Sequence, residues 1–302
     1  MTGHNVRSRD GREVTAGGRG RGGRSPAAPG HATMGAIRQR EKGGRAMPLL
    51  AGAEPFAHTG SADIGVLLCH GFTSTPQSMR GWAEHLVGAG CTVRLPRLPG
   101  HGTTWREMAK TGWPEWYGAV ERELGELRQR CESVFVFGQS MGGTLALRLA
   151  EQHGDAVAGL VLVNPSVIRL SRTTPLLPLL SRIVPSVRGV AGDIAKPGVT
   201  ELAYDRVPVR AAASLARLWA LTRADLPRIR QPLLLFRSAA DHVVEPENAR
   251  IVLDTVCSRN VTEVLLENSF HVATLDHDAP LVFRRSVEFV QAVRDAGQVG
   301  AR

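Results

Sequence analysis

From about residue 62 the chain alternates short, nearly continuous apolar runs with longer stretches of helical period, and this alternation constrains the fold more than any other feature. Gly65–Cys69, Thr92–Leu95, Ser133–Phe137, Gly159–Val163, Pro232–Phe236 and Val261–Leu266 read as buried strands. Met79–Ala89, Pro114–Arg130, Gly142–Gln152, Asn248–Val256 and Pro280–Val293 read as helices. Strands that lack polar alternation and are separated by helices predict a mostly parallel sheet covered on both faces. Residues 165–230 interrupt the rhythm with many prolines, several apolar clusters and no clear strand. That stretch is too long for a simple crossover and predicts an inserted cap, or lid. The expected organisation is a core in two parts, 47–164 and 231–302, with the cap between them.

Charge separates a tail from this body. The chain has 302 residues and a formal net charge of +9, but residues 1–46 hold ten basic side chains against three acidic ones. The remaining residues are nearly balanced. The tail contains eleven glycines and almost no large apolar side chain. Such a segment buries too little surface to offset its ordering entropy, so disorder is expected, or an extension upstream of a true start at Met47 or Met34. Arg19, Arg21 and Arg24 lie among glycines but have no aromatic neighbour for base stacking, and Arg outnumbers Lys 34 to three throughout. A nucleic-acid partner is therefore not expected. No apolar run reaches the ~18–20 residues of a membrane helix, and no apolar segment follows the basic N-terminus as in a secretory signal. Cys69, Cys91, Cys131 and Cys257 are scattered without a CxxC pair, which disfavours zinc ribbons and disulfide frameworks and makes a reducing, cytoplasmic setting the expectation.

Gly138-Gln139-Ser140-Met141-Gly142 follows the strand Ser133–Phe137 and opens a helix. A serine in a GxSxG turn between a buried strand and a helix sits on a sharp, strained backbone, with small neighbours leaving room for the crossing chain. The helix N-terminus below it favours a developing negative charge. A serine hydroxyl needs a base, and the base needs an orienting acid. Asp241 follows the strand ending at Phe236, and His271 follows the strand ending at Leu266, which gives the order Ser, Asp, His. Asp225, Asp254, Asp276 and Asp278 are weaker candidates for the acid. Asp278 reads as the N-cap of the last helix, and exchange of Asp276 or Asp254 for Asn is expected to be nearly silent. His242 and His277 are weaker candidates for the base.

Ester hydrolysis also needs hydrogen-bond donors for the tetrahedral oxyanion. The N–H of Met141, after the nucleophile, is one. The loop His70-Gly71-Phe72, after the first strand, supplies the other from Phe72, with Gly71 expected to permit the turn and His70 to brace the loop. There is no HExxH or other metal spacing and no GxGxxG after the first strand, so no metal and no cofactor are expected.

With these residues in hand, the body from about Gly65 to Val293 resembles the serine α/β-hydrolase superfamily, and within it the bacterial carboxylesterase and monoacylglycerol lipase group. The resemblance lies in Leu67-Leu-Cys-His-Gly-Phe-Thr-Ser-Thr-Pro-Gln-Ser-Met79, Leu98-Pro-Gly-His-Gly102, Gly138-Gln-Ser-Met-Gly-Gly143 and Asn268-Ser-Phe-His271. It implies an α/β-hydrolase fold with the cap between the sixth and seventh strands. It also implies hydrolysis of short- to medium-chain esters or monoacylglycerols, with Phe72 and Met141 as oxyanion donors. Members often carry Gly where this chain has Ser74, next to the oxyanion loop, a departure expected to bear on acyl-chain preference. A thioesterase, amidase or C–C hydrolase would use the same machinery, and a non-catalytic binding protein of this fold would carry a damaged triad. Nucleophilic Ser140 disfavours the epoxide hydrolases and haloalkane dehalogenases, which carry Asp there. In the cap, Val167, Ile168, Leu170, Leu176, Leu177, Leu179, Leu180, Ile183 and Val184 are expected to pack on the body or line an acyl channel.

Overall fold

The computed structural model describes residues 48–169 and 182–300. The tail 1–46 and the cap residues Leu170, Leu176, Leu177, Leu179 and Leu180 lie outside the described residues. Seven strands form one sheet: β1 (Phe56–His58), β2 (Ile64–Cys69), β3 (Thr92–Leu95), β4 (Ser133–Gln139), β5 (Gly159–Val163), β8 (Leu233–Ser238) and β9 (Val261–Leu266). Their spatial order is β1-β3-β2-β4-β5-β8-β9. Every neighbouring pair is parallel except β1 with β3. The interior strands β2 and β5 are buried along their whole length because helices cover both faces.

Five helices match the helical stretches of the sequence: α1 (Arg80–Gly88), α3 (Trp113–Arg128), α4 (Met141–His153), α6 (Glu247–Thr255) and α7 (Ala279–Gly300). One core, on the α3 and α4 side, holds Trp116, Leu124, Leu145 and Leu149 against Val136 and Leu162. The other, on the α1 and α7 side, holds Trp82, Leu86 and Val290 against Phe135 and Phe137. The alternation of β4 sends Val136 to one core and Phe135 and Phe137 to the other.

Three features differ from expectation. β9 has one solvent-facing side, with Val261 and Leu265 exposed, because it closes the sheet as an edge strand. The short β1 and the short helix α2 (Trp105–Met108) escape the periodicity reading because neither spans a full pattern. The segment expected to form a cap departs from the main sheet after β5, and the chain rejoins that sheet at β8. These are the fifth and sixth strands of that sheet in chain order, since one strand alone, β1, precedes β2 among the described residues. Within the cap, β6 (Ser186–Arg188) and β7 (Arg206–Pro208) pair antiparallel, and α5 (Val209–Asp225) follows. Of the cap's apolar cluster, Val167 is buried in the core whereas Ile183 is exposed.

Parallel strands aim their C-terminal ends at one edge of the sheet. His70, Ser140, Asn164, Asp241 and His271 all lie just beyond such ends, where ligands bind in open α/β sheets.

Candidate active site

Ser140 has φ 55° and ψ −120°, a conformation that L-residues rarely adopt. The turn exists because two glycines let chain segments approach. A Cβ on Gly138 would stand 2.2 Å from the Gly142 carbonyl oxygen, and one on Gly142 would stand 1.8 Å from that of Cys69. The Ser140 hydroxyl does not cap α4. That excludes the ordinary role of a serine at a helix N-terminus. Thr73 (φ 62°) and Asn164 (φ 45°) are the other non-glycine residues with positive φ among the described residues, and both also border this site.

His271 is nearly buried, and its Nδ1 lies 2.8 Å from Asp241 Oδ2. Asp241 Oδ1 accepts the backbone N–H groups of Val243 and Val244, both at 2.8 Å, so the carboxylate is held from its own loop. Asn164 Nδ2 donates to the His271 carbonyl and to Ser238 Oγ, and Ser238 Oγ donates to the Phe270 carbonyl. The structure thus joins His271 to Asp241 directly. Ser140 stands on the elbow after β4, and no hydrogen bond joins it to His271 among the described residues.

The loop after β2 packs against the serine: a Cβ built on Gly71 would touch Ser140 Cβ at 3.5 Å, an ordinary contact. Gly71 does not adopt positive φ; the left-handed residue of this loop is Thr73. The turn is instead braced by His70, whose Nδ1 lies 3.0 Å from the Gly71 carbonyl while Nε2 accepts from the Leu98 N–H at 3.2 Å. His101 packs edge-on against it and bonds the Pro99 carbonyl through Nδ1. Burial holds the His70 imidazole down to about 4 and His101 well below its ordinary value. Two neutral imidazoles therefore buttress the loop of Gly71 and Phe72. The Phe72 ring packs against Trp116, and the Ser74 hydroxyl donates to Ser78 Oγ.

The segment between β5 and β8 is tied to the same loop through Thr200, Leu202 and Tyr204. Tyr204 N–H donates to the Thr73 carbonyl, and its phenol donates to the Gly100 carbonyl and accepts from the Thr103 N–H. Gln77 pairs its amide with the Thr200 carbonyl and the Leu202 N–H.

The weaker acid candidates have other partners. Asp225 pairs with Arg148, and Asp254 with Arg250 on the exposed face of α6. The Asp278 carboxylate accepts from Asn268 N–H and Ser269 Oγ. Asp276 is buried and accepts backbone N–H groups from Ala195, Lys196, Phe270 and His277, so it braces loops rather than a ring nitrogen. Sequence reasoning missed Asn164 and Asp193. For Asn164 a signal existed, a polar residue immediately after a fully buried parallel strand.

A strained serine at a strand-to-helix elbow, an Asp–His pair on the following loops and a braced loop against the serine define the serine α/β-hydrolase class. Residues 60–278 match the family described as serine aminopeptidase, S33. A thermostable monoacylglycerol lipase from Bacillus sp. (strain H-257) is 46% identical over 80% of this chain and 96% of its own length. A carboxylesterase from Bacillus subtilis (strain 168) is 27% identical over 79% and 96%. A solved structure, reported under LipS and LipT, two metagenome-derived lipolytic enzymes, superposes with a TM-score of 0.79. It is 40% identical and covers 81% of this chain and all of its own. The chain belongs to the α/β-hydrolases, in their carboxylesterase and monoacylglycerol lipase group, and is an ester-cleaving hydrolase of that type. None of its described helices is long and apolar enough to cross a membrane.

Proposed function

We propose that the protein hydrolyses short- to medium-chain acyl esters or monoacylglycerols through a Ser140–His271–Asp241 triad and an acyl-enzyme. Ser140 Oγ attacks the acyl carbon while His271 Nε2 takes its proton. Asp241, on Nδ1, fixes the tautomer and stabilises the imidazolium. The N–H groups of Phe72 and Met141 receive the oxyanion. His271 then protonates the leaving alcohol, and the acyl group stays on Ser140. In the second half His271 activates water, which releases the carboxylic acid and restores the serine.

The observation that carries this reading is the 2.8 Å contact of His271 Nδ1 with an Asp241 whose other oxygen is occupied by two backbone N–H groups. That arrangement leaves Nε2 as the nitrogen for proton transfer. The lipase and carboxylesterase relatives support esters as the substrate class.

The test is a panel of p-nitrophenyl esters and monoacylglycerols, from acetyl to palmitoyl, with aminoacyl p-nitroanilides as the amide arm, on wild type and Ser140→Ala. Cleavage of the shorter esters and monoglycerides, lost in Ser140→Ala, is expected. Turnover confined to the anilides would replace the ester reading with a peptidase one.

A further inference from the structure

The loop that carries His271 leaves the sheet at Leu266 and has no strand ladder to orient it. Three consecutive N–H groups of that loop are instead bound by carboxylates and a carbonyl. Phe270 donates to Asp276 Oδ2 at 2.9 Å, His271 to Asp193 Oδ2 at 3.1 Å, and Val272 to the Asp193 carbonyl at 3.1 Å. Asp193 belongs to the cap, far from all of these in sequence. Its side chain is largely buried, and it reaches the acid's loop as well. Oδ2 also accepts the His242 N–H at 3.2 Å, and Oδ1 lies 2.8 Å from His242 Nδ1. His242 directly follows Asp241. The contact is reciprocal, since Asp276 returns from the His271 loop to accept Ala195 and Lys196 N–H groups of the same cap segment.

We infer that Asp193 is a positioning residue: from the cap, it holds the His271 loop and the Asp241 loop in register, which makes seating of the cap segment a condition for proton transfer. The inference rests on the triad reading above. A small misplacement of a proton-transfer group is costly because the reaction needs atoms at hydrogen-bond distance and in line, whereas substrate affinity depends on other contacts. Asp193 should therefore act on kcat and leave KM nearly alone.

The experiment compares kcat, KM, thermal midpoint and the rate of fluorophosphonate labelling of Ser140 in the full chain, for wild type, Asp193→Ala, Asp193→Asn, His242→Ala and Ser140→Ala. Asp193→Ala is expected to lose about 10- to 100-fold in kcat and in labelling rate, with KM within about twofold. Asp193→Asn is expected to recover to within about fivefold of wild type. Its amide oxygen accepts the same two backbone N–H groups, and its NH₂ takes the place of the oxygen that faces His242 Nδ1. His242→Ala, which leaves both backbone bonds in place, should stay within about threefold. Wild-type kcat in Asp193→Ala overturns the inference. So does an equal loss in the Ala and Asn variants carried by KM and thermal midpoint, or a collapse in His242→Ala alone. If Asp193→Ala does not fold, a tenfold kcat loss in a stable Asp193→Asn has the same force against it. Turnover retained in Ser140→Ala would instead sink the triad reading, whatever Asp193 does.

Discussion

Gly142 faces the carbonyl oxygen of Cys69, and a Cβ on it would lie 1.8 Å from that oxygen. The first turn of α4 is therefore pressed against the end of β2, where the loop of His70, Gly71 and Phe72 begins. The partner is backbone, so no rotamer change can relieve an added methyl.

Gly142→Ala should force the elbow away from the loop of Phe72. Overpacking of this kind costs about 3 kcal/mol, and at roughly 2–4 °C per kcal/mol the thermal midpoint should fall by roughly 6–12 °C. Ester turnover should fall at least about tenfold, since the proposed oxyanion donors, the N–H groups of Phe72 and Met141, lie on the two segments that meet here. Calorimetry and initial rates on the purified variant check both. A variant with wild-type midpoint and rate would show that the elbow has slack that the structure does not contain.

Asp241 and Asp276 should separate when each is changed to Asn. Asp241→Asn keeps the fold but presents the wrong imidazole tautomer, so kcat should drop by on the order of 10⁴ with KM and thermal midpoint little altered. Asp276→Asn was expected from the sequence to be nearly silent, but its carboxylate accepts four backbone N–H groups in a buried place. An amide NH₂ would oppose some of those donors. A loss of about 2–3 kcal/mol in unfolding free energy is predicted, with activity falling less than in Asp241→Asn. Denaturant titration and steady-state kinetics on the two variants distinguish them. A collapse of kcat in Asp276→Asn beside a normal Asp241→Asn would mean that the acid is misassigned.

The buried imidazoles predict an acid-sensitive fold. The unfolded chain protonates its histidines near pH 6.5, whereas His70 in the folded protein resists protonation down to about 4. The unfolded state thus binds more protons in this interval, and stability is lost as pH falls from about 6.5 to about 4. His70 alone accounts for about 3 kcal/mol of this loss, and His101 acts in the same direction. His101→Phe keeps an edge-on aromatic beside His70 and Trp116 but removes one proton acceptor. Its thermal midpoint should fall less steeply across the window than that of wild type. Parallel slopes would show that His101 is not held neutral by its burial.

The sequence displayed the sheet because β2, β4, β5 and β8 are interior parallel strands, where both faces need apolar side chains. It misjudged β9, since an edge strand with Val261 and Leu265 outside carries the same residue types as a buried one. The elbow was legible because its chemistry is local: strand, small residue, serine, small residue, helix within a few positions. Asp241 and His271 could be read from their places after strand ends. Asp193 could not, because it acts on residues about 49 and 78 positions away across a cap with no periodic pattern. The helix α5 escapes the sequence reading although Ala211, Leu215, Leu218 and Trp219 form a buried stripe at helical spacing, because small alanines carry much of that stripe. At the turn after β2 the His70 bonds match the expected brace, whereas Gly71 does not use the conformational freedom expected of it.

The central claim is that Ser140 is the nucleophile, and covalent labelling tests it most directly. Wild-type protein treated with a fluorophosphonate should gain one adduct by intact mass, mapped by peptide sequencing to Ser140. Ser140→Ala should gain none and should lose at least about 10³ in ester turnover. An adduct on another residue, or a Ser140→Ala variant that still cleaves esters at the wild-type rate, would contradict the account.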